Sequence, residues 1–396
     1  MPRRMLSKRK QKSARSKPEN APGPNPYHIL ALAAVCAILI SAEYHGPNYT
    51  FDDAWYVTFG KQILNGTFNP TENQYSLGYL MPGTVADSYL IFGQSPLAAT
   101  IPSMAEYVVL VLLIYLTALR IKPISRFAFQ GAFIAATSAF IAVYSSRVLS
   151  DMLIGALVAL SLYLIVIERP HPILAGATLG LIMFVKFGGM IAAAAVIFAV
   201  VVFIPRKQSL KFIFAFVIVV LVYLTSIGWN LHALESYSTS QMGMSNVTLY
   251  GNIYTMTVLM FFNYGINKPT FAQIFSLGGL VFLAVLGIAV MIYRRERSVA
   301  LFALVFAAAY LYLFLGTEGL PYHLITVVDR YMIWIASPMA IMAAYFLSSM
   351  STWYHTRLGP RFASWFIWFL VAAVLLSNIP LLVIFHYWVI NFHFHS

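Results

Sequence analysis

The chain has 396 residues, of which 60% are hydrophobic and only 10% charged, with a mean hydropathy of +0.77. A water-soluble globular chain carries about 25% charge, so this composition excludes a soluble enzyme or binding module. The net charge of +12 does not mark a nucleic-acid binder either, because eight of the cations crowd into the first seventeen residues with no aromatics among them.

In chain order, residues 1–26 read as a disordered basic arm, cytoplasmic and close to anionic lipid. No small-residue cleavage site follows the first apolar run, so that run is expected to be a span and not a signal peptide. The remainder, 27–396, reads as a single all-α transmembrane domain. Apolar segments fall near 27–44, 101–119, 127–144, 149–167, 172–185, 188–204, 212–229, 272–293, 298–316, 331–349 and 362–389. Most approach the roughly 20 residues that carry a helix across a bilayer, and the count of about eleven follows. The fifth and sixth are short enough to be tilted or broken. Cys36, the only cysteine, sits in the first segment as an apolar filler, and it permits no intramolecular disulfide.

Charge orients these segments. With the N-terminus inside, twenty Lys and Arg fall on the inner side, and only Lys61, Arg147, Lys186, Lys268 and Arg330 on the outer. That asymmetry follows the positive-inside rule. Nine of the thirteen acids fall at or beyond the outer boundary, and Glu106 lies within the second segment, where it is expected to pair or to be protonated. Functional chemistry is therefore expected on the outer, extracytoplasmic side. A prokaryotic plasma membrane fits this arrangement better than an endoplasmic-reticulum lumen.

Two outer segments, about 45–100 and 230–271, are long enough to fold, and their Tyr, Phe, Gly and Asn content suits interfacial elements. Within the first, Trp55, Phe59 and Ile63 recur at four-residue spacing, which predicts a surface helix over 53–65 closed by Gly66. Asp52 and Asp53 precede it. One Asp suffices for a helix cap. Two together at a bilayer boundary add mutual repulsion and desolvation, which points to catalysis or ligand binding. Later in the chain, Asp151 opens the fourth segment, where it or Ser150 could instead serve as the cap. The outer cations are candidates for holding an anion, with snorkelling the alternative for Lys186 and a pair with Asp329 the alternative for Arg330. His386, His393 and His395 sit among Phe, Tyr and Trp, and read as part of an aromatic belt and not as metal ligands.

The pattern Asp-Asp-x-x-Tyr-x-x-x-small-x-x-Ile-Leu-x-Gly, carried by Asp52, Asp53, Tyr56, Gly60, Ile63, Leu64 and Gly66, resembles the first outer loop of membrane glycosyltransferases of the GT-C fold. Protein O-mannosyltransferases and lipid A aminoarabinose transferases are the members it is most similar to in pattern. HLITVVDRYMIWIASPMAIMAA, with Arg330, Tyr331 and Pro338, is similar to a late segment of those enzymes, and SSRVLSDMLIGAL, with Arg147 and Asp151, to their second outer turn. The resemblance implies transfer of a sugar from a polyprenyl-phosphate carrier to an acceptor hydroxyl of a glycan, lipid or protein, with inversion. It implies Asp52 as the general base, Asp53 as its support, helix cap or metal ligand, and Asp151 as a further catalytic residue. Arg330, Lys186 and Arg147 would then meet the donor phosphate, with His323, Tyr56 and Tyr331 lining the site. No metal cluster is read from the sequence, and a divalent cation at the Asp pair is left open.

No stretch reads as the soluble C-terminal domain of the lipid A enzymes or the luminal insert of the mannosyltransferases. The sugar and acceptor therefore stay open. Two other classes of function also stay open: a flippase or transporter of lipid-linked saccharides, and a polysaccharide polymerase or ligase.

Overall fold

A computed structural model describes residues 23–44, 52–69, 78–227, 278–315 and 329–394. The basic arm up to residue 22, all of the second outer segment (230–271) and His323 lie outside the described residues. The regular elements among the described residues are all helices, with no strand.

Helix α1 spans Pro26–Glu43, and its start is capped by Asn25, whose side chain accepts the Tyr27 N–H at 2.9 Å. The first outer segment contributes α2, Asp52–Leu64, and α3, Leu80–Phe92, which pack against each other. Gly66 follows α2 with φ of 67°, the left-handed ending predicted from the sequence. Helix α4, Pro96–Arg120, starts five residues before the predicted span because Ser95 caps it by accepting the Ala98 N–H and Pro96 suits the first turn. It packs along α5, Ala128–Ala136, and α7, Ser150–Val166.

The third predicted segment is broken. A 3-10 helix, Lys122–Phe127, leads into α5; α6, Ala139–Ala142, continues into a second 3-10 turn, Val143–Ser146; and the two halves, Lys122–Ala136 and Ala139–Ser146, meet at 63°. The hydroxyls of Thr137 and Ser138 turn back onto the carbonyls of Phe133 and Ile134. The buried Asn378 donates to the Thr137 carbonyl at 2.9 Å. A break inside hydrocarbon is tolerated only when such partners replace the lost backbone bonds. The fifth segment is also interrupted, as expected, at Leu181 between α8, Pro172–Gly180, and α9, Ile182–Val185.

The rest are α10, Met190–Phe203; α11, Arg206–Ser226; α12, Gly278–Arg294; α13, Ala300–Leu315; α14, Ala336–Leu358; and α15, Pro360–Phe394. Five described helices are long and apolar enough to cross a membrane, or six if the bent pair is one span. Five shorter apolar helices occupy the other predicted segments. The protein is an integral membrane protein of α-helices. Its core is organised on α14, which is buried along most of its length between α12, α15 and α5. Helices α11 and α15 instead expose Phe214, Val222, Trp365 and Phe369, apolar faces suited to lipid.

Candidate active site

Asp52 and Asp53 begin α2, and the Asp53 side chain is fully buried. Its Oδ2 accepts from Arg147 Nε at 3.0 Å. A carboxylate removed from water needs such a partner, since an isolated buried charge costs far more than it returns. One turn later Tyr56, also buried, donates its hydroxyl to Ser150 Oγ at 2.9 Å. Positions i and i+3 share a helix face, so Asp53 and Tyr56 meet the same neighbour, the stretch 147–150 that leads into α7. Trp55 points away and is 43% exposed.

Helix α7 begins with no side-chain capping bond. Ser150 and Asp151, which the sequence allowed as caps, are engaged elsewhere. Ser150 accepts from Tyr56, and Asp151 Oδ1 accepts from Trp334 Nε1 at 2.8 Å, with both partners buried. Asp151 still lies in the first turn, where the helix dipole favours a negative charge.

Trp334 belongs to the 3-10 helix Asp329–Ile335, which lies against α7. Gly155, one turn beyond Asp151 on the same face, allows this approach. A Cβ there would stand 2.7 Å from the Ile333 carbonyl oxygen. Within the 3-10 helix the rings of Tyr331 and Trp334 stack with centroids 4.5 Å apart. Over the Tyr331 ring, 5.6 Å from its centroid, sits the Nζ of Lys186, within cation–π range.

Lys186 is buried and its backbone is extended, between α9 and the short 3-10 helix Phe187–Gly189. The first outer segment reaches the same place, where the Gly78 N–H donates to the Val185 carbonyl at 3.1 Å. No side chain fits there, since a Cβ on Gly78 would fall 1.8 Å from the Phe184 oxygen.

A connected layer of contacts therefore runs Asp53–Arg147, Tyr56–Ser150, Asp151–Trp334 and Tyr331–Lys186. It gathers six of the nine residues singled out from sequence, drawn from α2, the start of α7, the end of α9 and the 3-10 helix before α14. The backbones of Asp52 and Arg330 adjoin it, as neighbours of Asp53 and Tyr331. Trp334 and Ser150 were not expected as site residues. Trp334 stands three residues after Tyr331, a spacing that puts both rings on one side of a tight helix and could have flagged it.

Carboxylates alternate with cations through this layer. Such groups can take a proton, hold a hydroxyl or meet an anion in a poorly solvated setting where electrostatics count heavily. Among the described residues no three His, Cys, Asp or Glu gather as a metal site. Glu106, expected to pair or be protonated, is buried in α4 with no hydrogen-bond partner there among the described residues.

No family model matches the sequence, and no curated protein does. Solved structures do match. ArnT from Cupriavidus metallidurans in the apo state superposes with a TM-score of 0.56, and ArnT bound to undecaprenyl phosphate with 0.53. In both cases identity is 11%, over 91% of this chain and 75% of ArnT. The shared property is the fold: this chain has a GT-C-like helical membrane architecture like that of ArnT, as the sequence resemblance implied.

Proposed function

We propose that this protein is a glycosyltransferase that moves a sugar from a polyprenyl-phosphate carrier to an acceptor hydroxyl on the extracytoplasmic side of the membrane. The observation that carries the reading is the buried Asp53–Arg147 pair at the start of α2, joined through α7 to Asp151, Trp334, Tyr331 and Lys186. The undecaprenyl phosphate bound to a structure of similar fold supports the donor class.

In this reading Asp52 takes the proton from the acceptor hydroxyl. The oxygen then attacks the anomeric carbon from the side opposite the leaving phosphate, which inverts the sugar. The acceptor C–O bond forms as the sugar–phosphate C–O bond breaks, and the electron pair leaves with the phosphate. Asp53, fixed by Arg147, keeps the first turn of α2 in place and holds its neighbour at the reacting centre. Arg147 binds Asp53 through Nε alone, and its fork has four more N–H groups for phosphate oxygens. Lys186 and Arg330 offer further positive charge to the leaving group, whose charge rises as it departs. Asp151, positioned by Trp334, orients the acceptor.

The test is mass spectrometry of lipids that co-purify with the wild type and with Asp52→Asn in mild detergent. A protein unable to deprotonate its acceptor retains its donor, so a polyprenyl monophosphate bearing a single sugar should be enriched in the variant, and its mass names the sugar. A lipid diphosphate carrying an oligosaccharide, or ordinary phospholipid equally in both, would overturn the assignment of donor and base.

A further inference from the structure

A cavity of about 510 Å³ opens at the opposite end of the bundle, between the 3-10 helix Lys122–Phe127 and the last three turns of α14. From Ala336, where α14 leaves the candidate site, to Thr352 on the cavity wall is about 24 Å along the helix. The walls carry Lys122, Arg126 and His355, four hydroxyl residues and no acid. Neighbouring cations are committed. Arg120 pairs with Glu168 at 3.2 Å, and Arg294 donates to the Ser349 carbonyl. Lys122 and Arg126 meet no carboxylate among the described residues.

The hydroxyls of Thr352 and Thr356 bond carbonyls of their own helix at 2.9 Å, and Ser348 donates to the Pro123 carbonyl, which ties the two walls together. With those three donors committed, recognition of an anion falls chiefly to Lys122 and Arg126, with Ser351 and His355 also on the wall. Beside the cavity, Trp353 lies under the Arg357 guanidinium at 4.8 Å, and Trp353, Phe362 and Trp365 are exposed. Exposed Trp and Phe next to basic residues mark the depth of lipid headgroups. A basic pocket between helices at that depth is suited to an anionic head group.

We infer that this cavity is a binding site for a phosphate-bearing anion, supplied by an anionic phospholipid head group or by free phosphate, separate from the candidate active site. Lys122 and Arg126 hold the phosphate oxygens, and an occupant clamps the Lys122–Phe127 turn to α14.

The test uses the full-length protein, stripped of lipid in non-ionic detergent, and native mass spectrometry with dioctanoyl phosphatidylglycerol, dioctanoyl phosphatidylcholine or inorganic phosphate. Each basic residue facing an anionic lipid contributes roughly fivefold, so Lys122→Gln with Arg126→Gln should weaken phosphatidylglycerol binding about thirtyfold. Arg206→Gln with Lys207→Gln removes the same charge at the exposed start of α11, outside the cavity, and should leave binding unchanged. Competition by millimolar inorganic phosphate would make the ligand the phosphate group from either source, and its absence would make it the lipid. Equal binding by the cavity variant, or equal loss in the control, would overturn the site.

Discussion

Replacing Gly155 with Ala tests whether the 3-10 helix must sit tightly on α7 for the site to exist. The new methyl carbon would lie 2.7 Å from the Ile333 carbonyl oxygen, and ordinary contact begins near 3.4 Å, so the 3-10 helix must retreat by about 0.7 Å. That movement stretches the 2.8 Å Trp334–Asp151 bond to about 3.5 Å, past useful hydrogen-bond length. Overpacking costs about 1–3 kcal/mol, offset by up to ~1 kcal/mol of helix propensity gained by Ala over Gly. The expected net loss is about 1–2 kcal/mol, read as a lower thermal midpoint of the full-length protein in detergent. Under the proposed function, displacing Asp151 by this distance should cost up to about a hundredfold in rate, read as sugar transfer from the donor identified by lipid mass spectrometry. Gly83→Ala is the control, because a Cβ there has nothing within 4 Å, and it should be neutral or stabilising. If Gly155→Ala matched Gly83→Ala in both stability and transfer, the packing argument for the site would fail.

Asn378→Leu should lower stability by about 1–3 kcal/mol, since the Thr137 carbonyl at the helix break loses its donor in a buried setting, and chemical unfolding in detergent would show it. Tyr56→Phe removes the hydroxyl given to Ser150 and should cost about 1 kcal/mol in the same measurement, with the fold retained. Arg147→Lys keeps the charge but loses the forked geometry. It should reduce retention of the polyprenyl lipid in an Asp52→Asn background by about tenfold, counted by mass spectrometry. Lys186→Gln should reduce retention to a similar extent, whereas a lysine that merely snorkels would leave it unchanged.

The apolar segments were legible because a span needs a long unbroken run, and the chain writes each one plainly. The break at Thr137 was not legible. The surrounding run, GAFIAATSAFIAVY, contains no Pro, and the bond that rescues the freed carbonyl comes from Asn378, 241 residues away. The site was half legible for a similar reason. Carboxylates and cations are scarce here, so each one at the mouth of a span drew notice by chemistry alone. Who meets whom depends on packing across 94 residues for Asp53 and Arg147, and 183 for Asp151 and Trp334. Trp334 is not legible as a site residue because an aromatic at a membrane boundary has an ordinary explanation.

The separation of Asp151 from Trp334 also sets an order of biosynthesis. Asp53, Arg147 and Asp151 all emerge within the first 151 residues, while the tryptophan that holds Asp151 follows 183 residues later. At the roughly 5–20 residues per second of translation, that interval is about 10–40 s. For that time every nascent copy carries Asp53, Tyr56, Arg147 and Asp151 without the Trp334 that meets Asp151. A chain that stops before the 3-10 helix therefore holds both partners of the Asp53–Arg147 pair but lacks the tryptophan that meets Asp151.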